Sequence, residues 1–326
     1  MLLPHIETWE QWGKIFTDVP RWTPAVQEIC RQAGIPFHTI EAGFPGTNAV
    51  FVLDHTYVLK IYAPFCHRDY ALERFLNPLV TRHGIPAPAV LAEGVFEDRI
   101  RWPYIVMNFL PGQPIREVRA QIPRANLLDI AADLGRIVRA LHQIPLEDVT
   151  LPELAPDSWM SFVKKRRAQM GAQNRREGKL PLSILKEIPH FLTSVLAEME
   201  ATPLRLVNGD LTEDHLLLEQ RDGRWQISGL IDFADSLVAP TAYEWAALWF
   251  SGLARDAGCL RQFMAAYDPA LPLDAAFFCR AMAFTFLHEF GAGILAEVME
   301  ELHHPPLSSI AELQTLLWET KAKQET

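Results

Sequence analysis

The chain has 326 residues, too long for one ordinary small core and about right for two lobes. Hydrophobic residues make up 49% and charged residues 21%, the balance of a folded globular protein rather than a disordered one. The formal net charge of −10 disfavours general nucleic-acid binding, which rests on a basic surface, and is compatible with a cationic ligand.

In chain order, residues 5–17 and 22–33 read as two short helices separated by Pro20 and Pro24. His38–Glu41 reads as a short strand, followed by the turn GFPGTN. Ala49–Leu53 and Tyr57–Tyr62 are apolar runs joined across Asp54-His55-Thr56, a hairpin signal. Residues 67–82 carry apolar side chains at helical spacing, and GIPAP ends that helix. Strands are expected at 89–96 and 101–109, and Pro111-Gly112 marks a boundary.

Beyond it the chain reads mainly as helix, over 126–143, 158–174, 182–200, 242–267, 273–300 and 306–323. One island, LLLE and RWQISGLID, forms a hairpin across Asp222-Gly223. The expectation is an α+β, bilobal chain. An N-terminal lobe, 1–110, holds an antiparallel sheet, one key helix and a helical extension over 1–37; a mainly helical lobe covers 111–326.

The start, MLLPHIETWEQW, lacks the basic residues and apolar run of a signal peptide. Ala275–Leu295 is apolar but carries Arg280, His288 and Glu289, which fits a buried helix better than a membrane span. Cys30, Cys66, Cys259 and Cys279 make no CxxC pair and read as reduced, mostly buried thiols. Together these point to a cytoplasmic protein, with no membrane and no nucleic acid among its partners, as a monomer or weak dimer. No GxSxG or HExxH occurs, and His142, His288 and His303-His304 lack metal-ligand spacing.

The most informative segment is LVNGDLTEDHLLLEQRDGRWQISGLIDFADS, Leu206 to Ser236. A strand ends at Val207, a polar loop carries Asp210 and His215, and the returning hairpin strand delivers Asp232. One carboxylate can accept a hydrogen bond from an attacking hydroxyl while others hold Mg²⁺ against phosphates. Taken singly, Asp210 and Asp232 also read as turn and strand-end carboxylates, and His215 as a loop histidine bonded to backbone.

NGDLTEDH followed by IDFADS resembles the aminoglycoside phosphotransferase superfamily, with its H-G-D-x-x-x-x-N and I-D-F/W segments and its protein-kinase-like fold. The resemblance covers most of the chain from about residue 38 and implies transfer of a phosphate from ATP or GTP, with Mg²⁺, to a hydroxyl of a small, aminoglycoside-like molecule. It makes Asp210 the catalytic carboxylate and Asp232 a metal ligand. Asn208 stands where the family usually has His, and His215 where most members have the metal-binding Asn. A histidine there, before a V/L-L run, is similar to the aminoglycoside 2''-phosphotransferases.

The same resemblance makes Gly43, Gly46, Thr47 and Asn48 the phosphate-approaching loop, although a plain glycine turn explains them as well. Lys60 lies in an otherwise apolar strand beside Val58 and Tyr62, where an unpaired charge is costly. In kinase-like folds a helix glutamate and the phosphates pair with it, and Glu73 is the natural partner here. Asn108, Phe109 and Leu110 would offer backbone groups to the base. Glu213, Asp214, Asp235, Glu244 and Glu289 are candidate carboxylates for a cationic substrate. The basic run over residues 164–179 reads as a solvated helix face. Two other readings stand: a kinase of choline, homoserine, a sugar or a macrolide, and a catalytically silent kinase-like binding protein.

Overall fold

The computed structural model describes residues 2–44, 46–302 and 306–319; His303-His304 and the end of the expected last helix lie outside them. The chain divides into two compact units, Met1–Gly112 with Ser228–Asp235 and Gln113–Ile227 with Ser236–Thr326.

The first unit opens with two helices, α1 (Trp9–Gly13) and α2 (Val19–Ala33). Thr8 and Gln11 form a capping box that starts α1, and Asp18 caps α2, with Pro20 in the first turn. α1 starts later and ends earlier than the expected 5–17, while α2 starts three residues before the expected 22. Then come β1 (Ile40–Ala42), β2 (Ala49–Leu53), β3 (Tyr57–Ile61), α3 (His67–Arg82), β4 (Val90–Glu97) and β5 (Arg101–Asn108).

The strands form one antiparallel sheet in the order β1-β2-β3-β5-β4. The β2–β3 turn places Asp54 and His55 at φ 51° and 47°, the left-handed pair a tight hairpin requires. Asp54 offsets that strain by accepting from the backbone N–H groups of His38 and Thr39.

Strand alternation divides the sheet into two faces. Phe51, Leu59, Ile61, Trp102 and Val106 join Trp12 and Trp22 in one core, while Tyr62, Ile105 and Met107 pack with Val58 and Tyr70 in another. Residue 60 therefore falls on the face with Val58 and Tyr62, the side carrying Tyr70 of α3.

The second unit contains β6 (Gln113–Pro114), α4 (Ile115–Val118), α5 (Arg124–His142), α6 (Pro156–Glu177), α7 (Leu182–Glu198), β7 (Leu204–Val207), β8 (Leu216–Arg221) and β9 (Arg224–Leu230). The last residues of β9, from Ser228, belong to the first unit. After β10 (Leu237–Pro240) come α8 (Trp245–Ala247), α9 (Ala257–Tyr267), α10 (Ala275–Leu287), α11 (Gly291–Glu301) and α12 (Ile310–Gln314). β7 pairs with β10, and β6, β8 and β9 form a small sheet. The β8–β9 turn uses Asp222 at φ 50° and Gly223 at φ 76°.

Two expected helices are broken, each for a packing reason. Residues 242–267 are not one helix, because a π-helical turn over Leu248–Gly252 follows α8. It lies so close to the loop after β7 that a Cβ at Gly252 would stand 2.5 Å from the Leu211 carbonyl oxygen. Residues 273–300 bend by 111° between α10 and α11. The α10 end is closed by Arg166, whose guanidinium donates to the carbonyls of Leu287 and His288. Among the described residues no single helix is long and apolar enough to cross a membrane.

Candidate active site

In the first unit, Lys60 is the charge that β3 carries on its α3 face, and it is 6% exposed. Its Nζ lies 2.6 Å from Glu73 Oε2 and 3.2 Å from Asp232 Oδ2. Glu73, buried on α3, also accepts from the Tyr62 hydroxyl at 2.6 Å. Burial opposes the lysine charge, but Asp232 and Glu73 outweigh it and hold Lys60 above its ordinary value.

Asp232 adopts φ 62°, unusual for a residue with a side chain, and accepts from the Ala234 N–H at 3.2 Å. Arg68 of α3 secures this turn by donating to the Ala234 carbonyl at 2.9 Å. Nearby Asp69 is pushed up by burial, with Lys60 opposing and Asp232 adding to the shift. Lys60 thus faces Glu73 and Asp232 at close range, with Asp69 and Arg68 nearby. Three of the four cysteines are buried and all are free thiols.

The proposed phosphate loop links β1 to β2. Gly43 closes its base through an N–H to the Val50 carbonyl at 2.7 Å, and a Cβ there would stand 2.5 Å from Val50 Cγ1. Gly46 and Thr47 are exposed, while Asn48 is buried with its Oδ1 unpaired. Beyond β5, the Asn108 N–H bonds to Ala89 and the Phe109 N–H to Thr56. Two of the three expected hinge donors are therefore used within the sheet unit. Among the described residues the Leu110 N–H has no such partner.

In the second unit, the loop after β7 is held from beneath by buried groups far away in sequence. Glu244 is fully buried; its Oε2 accepts the Asn208 N–H at 2.8 Å and its Oε1 the Gly209 N–H at 2.9 Å. Expected among the substrate carboxylates, Glu244 is instead a loop anchor. His142 donates Nε2–H to the same carboxylate at 3.1 Å and accepts at Nδ1 from the Tyr267 hydroxyl at 2.8 Å. On its other side Gly209, at φ 82°, gives its carbonyl to His288 Nε2 at 2.9 Å. His288 is fully buried and stacks on Tyr243 at 4.9 Å. Burial drives its pKa down to about 4 against the pull of the Gly209 bond, so the ring is neutral with its proton on Nε2.

Above this floor, the Asp210 N–H donates to Asn208 Oδ1 at 2.9 Å. His215 Nδ1 turns into the loop, 3.0 Å from the Asp210 carbonyl, 3.1 Å from Thr212 Oγ1 and 3.3 Å from Asp210 Oδ2. Among the described residues no three His, Cys, Asp or Glu side chains gather as a metal site.

The remaining acids differ in setting. Asp214 pairs with Arg116. Burial pushes Glu213 up, with Arg119 and Arg116 opposing. Asp235 is half-buried, and Glu289 is exposed in the α10–α11 turn rather than within a helix.

A model of the phosphotransferase enzyme family (APH) matches residues 39–278, more than half of the chain. The chain belongs to that family. A viomycin phosphotransferase from Streptomyces vinaceus is 24% identical over 172 residues, 51% of this chain and 56% of that protein. The chain spans about half the length, or less, of the curated relatives it matches. The GDP complex of an aminoglycoside 2'-phosphotransferase-IIIa aligns with TM-score 0.66 at 18% identity, covering 86% of this chain and 98% of that one. The streptomycin–ATP complex of APH(2'')-IIa aligns with TM-score 0.59 at 17% identity, covering 81% and 87%. The fold is the kinase-like one of this phosphotransferase family.

In this phosphotransferase family chain, Asn208 occupies the position of the expected loop histidine and still bonds within the loop. The supports that sequence reading missed are Glu244 as an anchor, His142, His288 and Arg166. Arg166 lies in the basic run yet is 2% exposed; its apolar neighbours Val163 and Met170, each one helical turn away, are the signal of that face.

Proposed function

We propose that the chain transfers the γ-phosphate of ATP or GTP to a hydroxyl of a small molecule, an aminoglycoside-like or other cationic antibiotic being the leading acceptor. The observation that carries this is the Lys60–Glu73–Asp232 cluster at the turn IDFAD in the first unit; the braced loop bearing Asp210 in the second unit supports it separately. Asp210 accepts the proton as the acceptor oxygen bonds to the γ-phosphorus and the bond to the β–γ bridging oxygen breaks. Lys60, kept charged by Glu73, binds the α/β-phosphates, the GFPGTN backbone approaches them, and the Leu110 N–H meets the base.

Bound Mg²⁺ would neutralise charge on the phosphates. Asp232 would be its carboxylate ligand, and His215 would offer Nε2, since Nδ1 faces the loop. A relative named for viomycin, and a similar structure that holds streptomycin and ATP, support the acceptor class. Glu289, exposed in the α10–α11 turn, remains a candidate for a cationic acceptor, although like Glu213 and Asp214 it has an arginine, Arg166, within electrostatic reach.

The test is transfer from ATP and from GTP, with Mg²⁺, to viomycin, streptomycin, other aminoglycosides and simple alcohols, beside Asp210→Ala. Transfer to one compound, lost in the variant, is the expected result. Nucleotide binding without transfer to any of them removes the antibiotic acceptor. Absence of both binding and transfer removes the kinase reading and leaves a silent fold.

A further inference from the structure

The family match begins at residue 39, yet a residue well before it reaches the proposed phosphate loop. Trp12 of α1 donates its indole N–H to the Thr47 carbonyl at 2.7 Å. Its ring is 2% exposed and wedged among aromatics: it stacks on Phe16 and Trp102 and meets Trp22 edge-on at 5.8 Å. A ring fixed on several sides holds its N–H in one place, and a buried indole N–H has to find a partner.

That bond has a consequence one atom further along the chain. A trans peptide is planar, with its C=O and the following N–H pointing in opposite directions. Drawing the Thr47 carbonyl towards the tryptophan core therefore turns the Asn48 N–H away from it. A loop of glycines and small residues would otherwise rotate this peptide freely.

We propose that Trp12 is a positioning residue for nucleotide: its N–H sets the Thr47–Asn48 peptide so that the Asn48 N–H is offered to phosphate oxygens. The N-terminal extension is then part of the nucleotide site rather than an ornament on the sheet. This rests on reading GFPGTN as the phosphate loop.

Trp22 supplies an internal control. It is fully buried in the same core, and its N–H goes to the Ile15 carbonyl at 2.7 Å, within the extension itself. Calorimetric titration of the full chain with Mg·ATP and Mg·GTP compares Trp12→Phe with Trp22→Phe. Trp12→Phe is expected to weaken nucleotide binding about three- to ten-fold, the effect of one hydrogen bond, while Trp22→Phe changes it by less than about two-fold. With an acceptor in hand, Trp12→Phe raises nucleotide KM and leaves kcat near its original value. Should Trp12→Phe fail to fold, benzothienylalanine at position 12 keeps the bicyclic ring, removes the N–H and is read in the same way. Unchanged affinity in the position-12 variant, or an equal loss in Trp22→Phe, overturns the proposal. An unsubstituted chain that binds neither nucleotide overturns the kinase reading, and this proposal with it.

Discussion

Glu244 Oε1 accepts the Gly209 backbone N–H at 2.9 Å in a fully buried position, and that bond fixes the residue immediately before Asp210. Glutamine at 244 keeps one acceptor oxygen but turns an NH₂ towards backbone N–H groups or His142. One buried donor then has no acceptor, a loss of about 1–3 kcal/mol. Glu244→Gln should unfold at lower urea and lose kcat, with nucleotide affinity retained. Denaturant melts and nucleotide titration together check this.

Lys60 and Glu73 should fail together but recover separately. Lys60→Met leaves Glu73 and Asp232 without their cation, and breaking a buried pair from one side costs about 3–5 kcal/mol. Adding Glu73→Gln removes one of the stranded charges and should restore much of that stability. It should not restore nucleotide binding, which needs the ammonium itself. A double-variant cycle on melting and on binding separates the two effects.

His288 predicts a pH dependence of known sign. Its ordinary value is near 6.5 and burial lowers it to about 4 in the folded chain. Between those values the unfolded state binds the proton and the folded state does not, so stability falls as pH drops from about 6.5 to about 4. The loss is of order 3 kcal/mol, at 1.36 kcal/mol per unit. His288→Gln, which retains a donor for the Gly209 carbonyl, should show a flatter stability profile over this window. An identical slope in both proteins would rule out His288 as its source.

Asp210 bears on rate rather than on the fold. Its side chain is 15% exposed and its own N–H bond to Asn208 does not use the carboxylate. Asp210→Ala should lower transfer by about 10²–10⁴-fold, the contribution of a positioned base, with melting temperature little changed. Initial rates and a thermal melt on the same preparation measure both.

Much of the sheet unit is legible in sequence because its determinants are local. The apolar spacing over His67–Arg82 gives α3 at those limits, and Asp54-His55 and Asp222-Gly223 mark both tight hairpins. Lys60 stands out as one charge in an apolar strand, and strand followed by helix points to Glu73. The breaks in the later helices carry local signals that helical spacing overrides: Gly252 and the Asp256 cap of α9 in one, His288-Glu289 and Gly291 in the other. The long-range partners at these breaks, the Leu211 carbonyl against Gly252 and Arg166 on the Leu287 and His288 carbonyls, are what the sequence does not show.

The same limit applies to the Asp210 loop. NGDLTEDH is a continuous motif, whereas its braces Glu244, His142 and His288 share no spacing with it. Only folding brings an ordinary-looking acid and two scattered histidines to one glycine.

The segment Ser228–Asp235 gives the sheet unit a delayed birth. Lys60 and Asp232 are separated by 172 positions, so a chain emerging from the ribosome presents β1–β5 complete while the carboxylate partner is still unsynthesised. At about 5–20 residues per second, synthesis from the end of β5 to Asp232 takes roughly 6 to 25 seconds. Until Asp232 is made, Glu73 on α3 is the carboxylate of this pair already available to Lys60. A fragment ending at Gly112 lacks this carboxylate, which a peptide carrying Ser228–Asp235 would have to supply in trans.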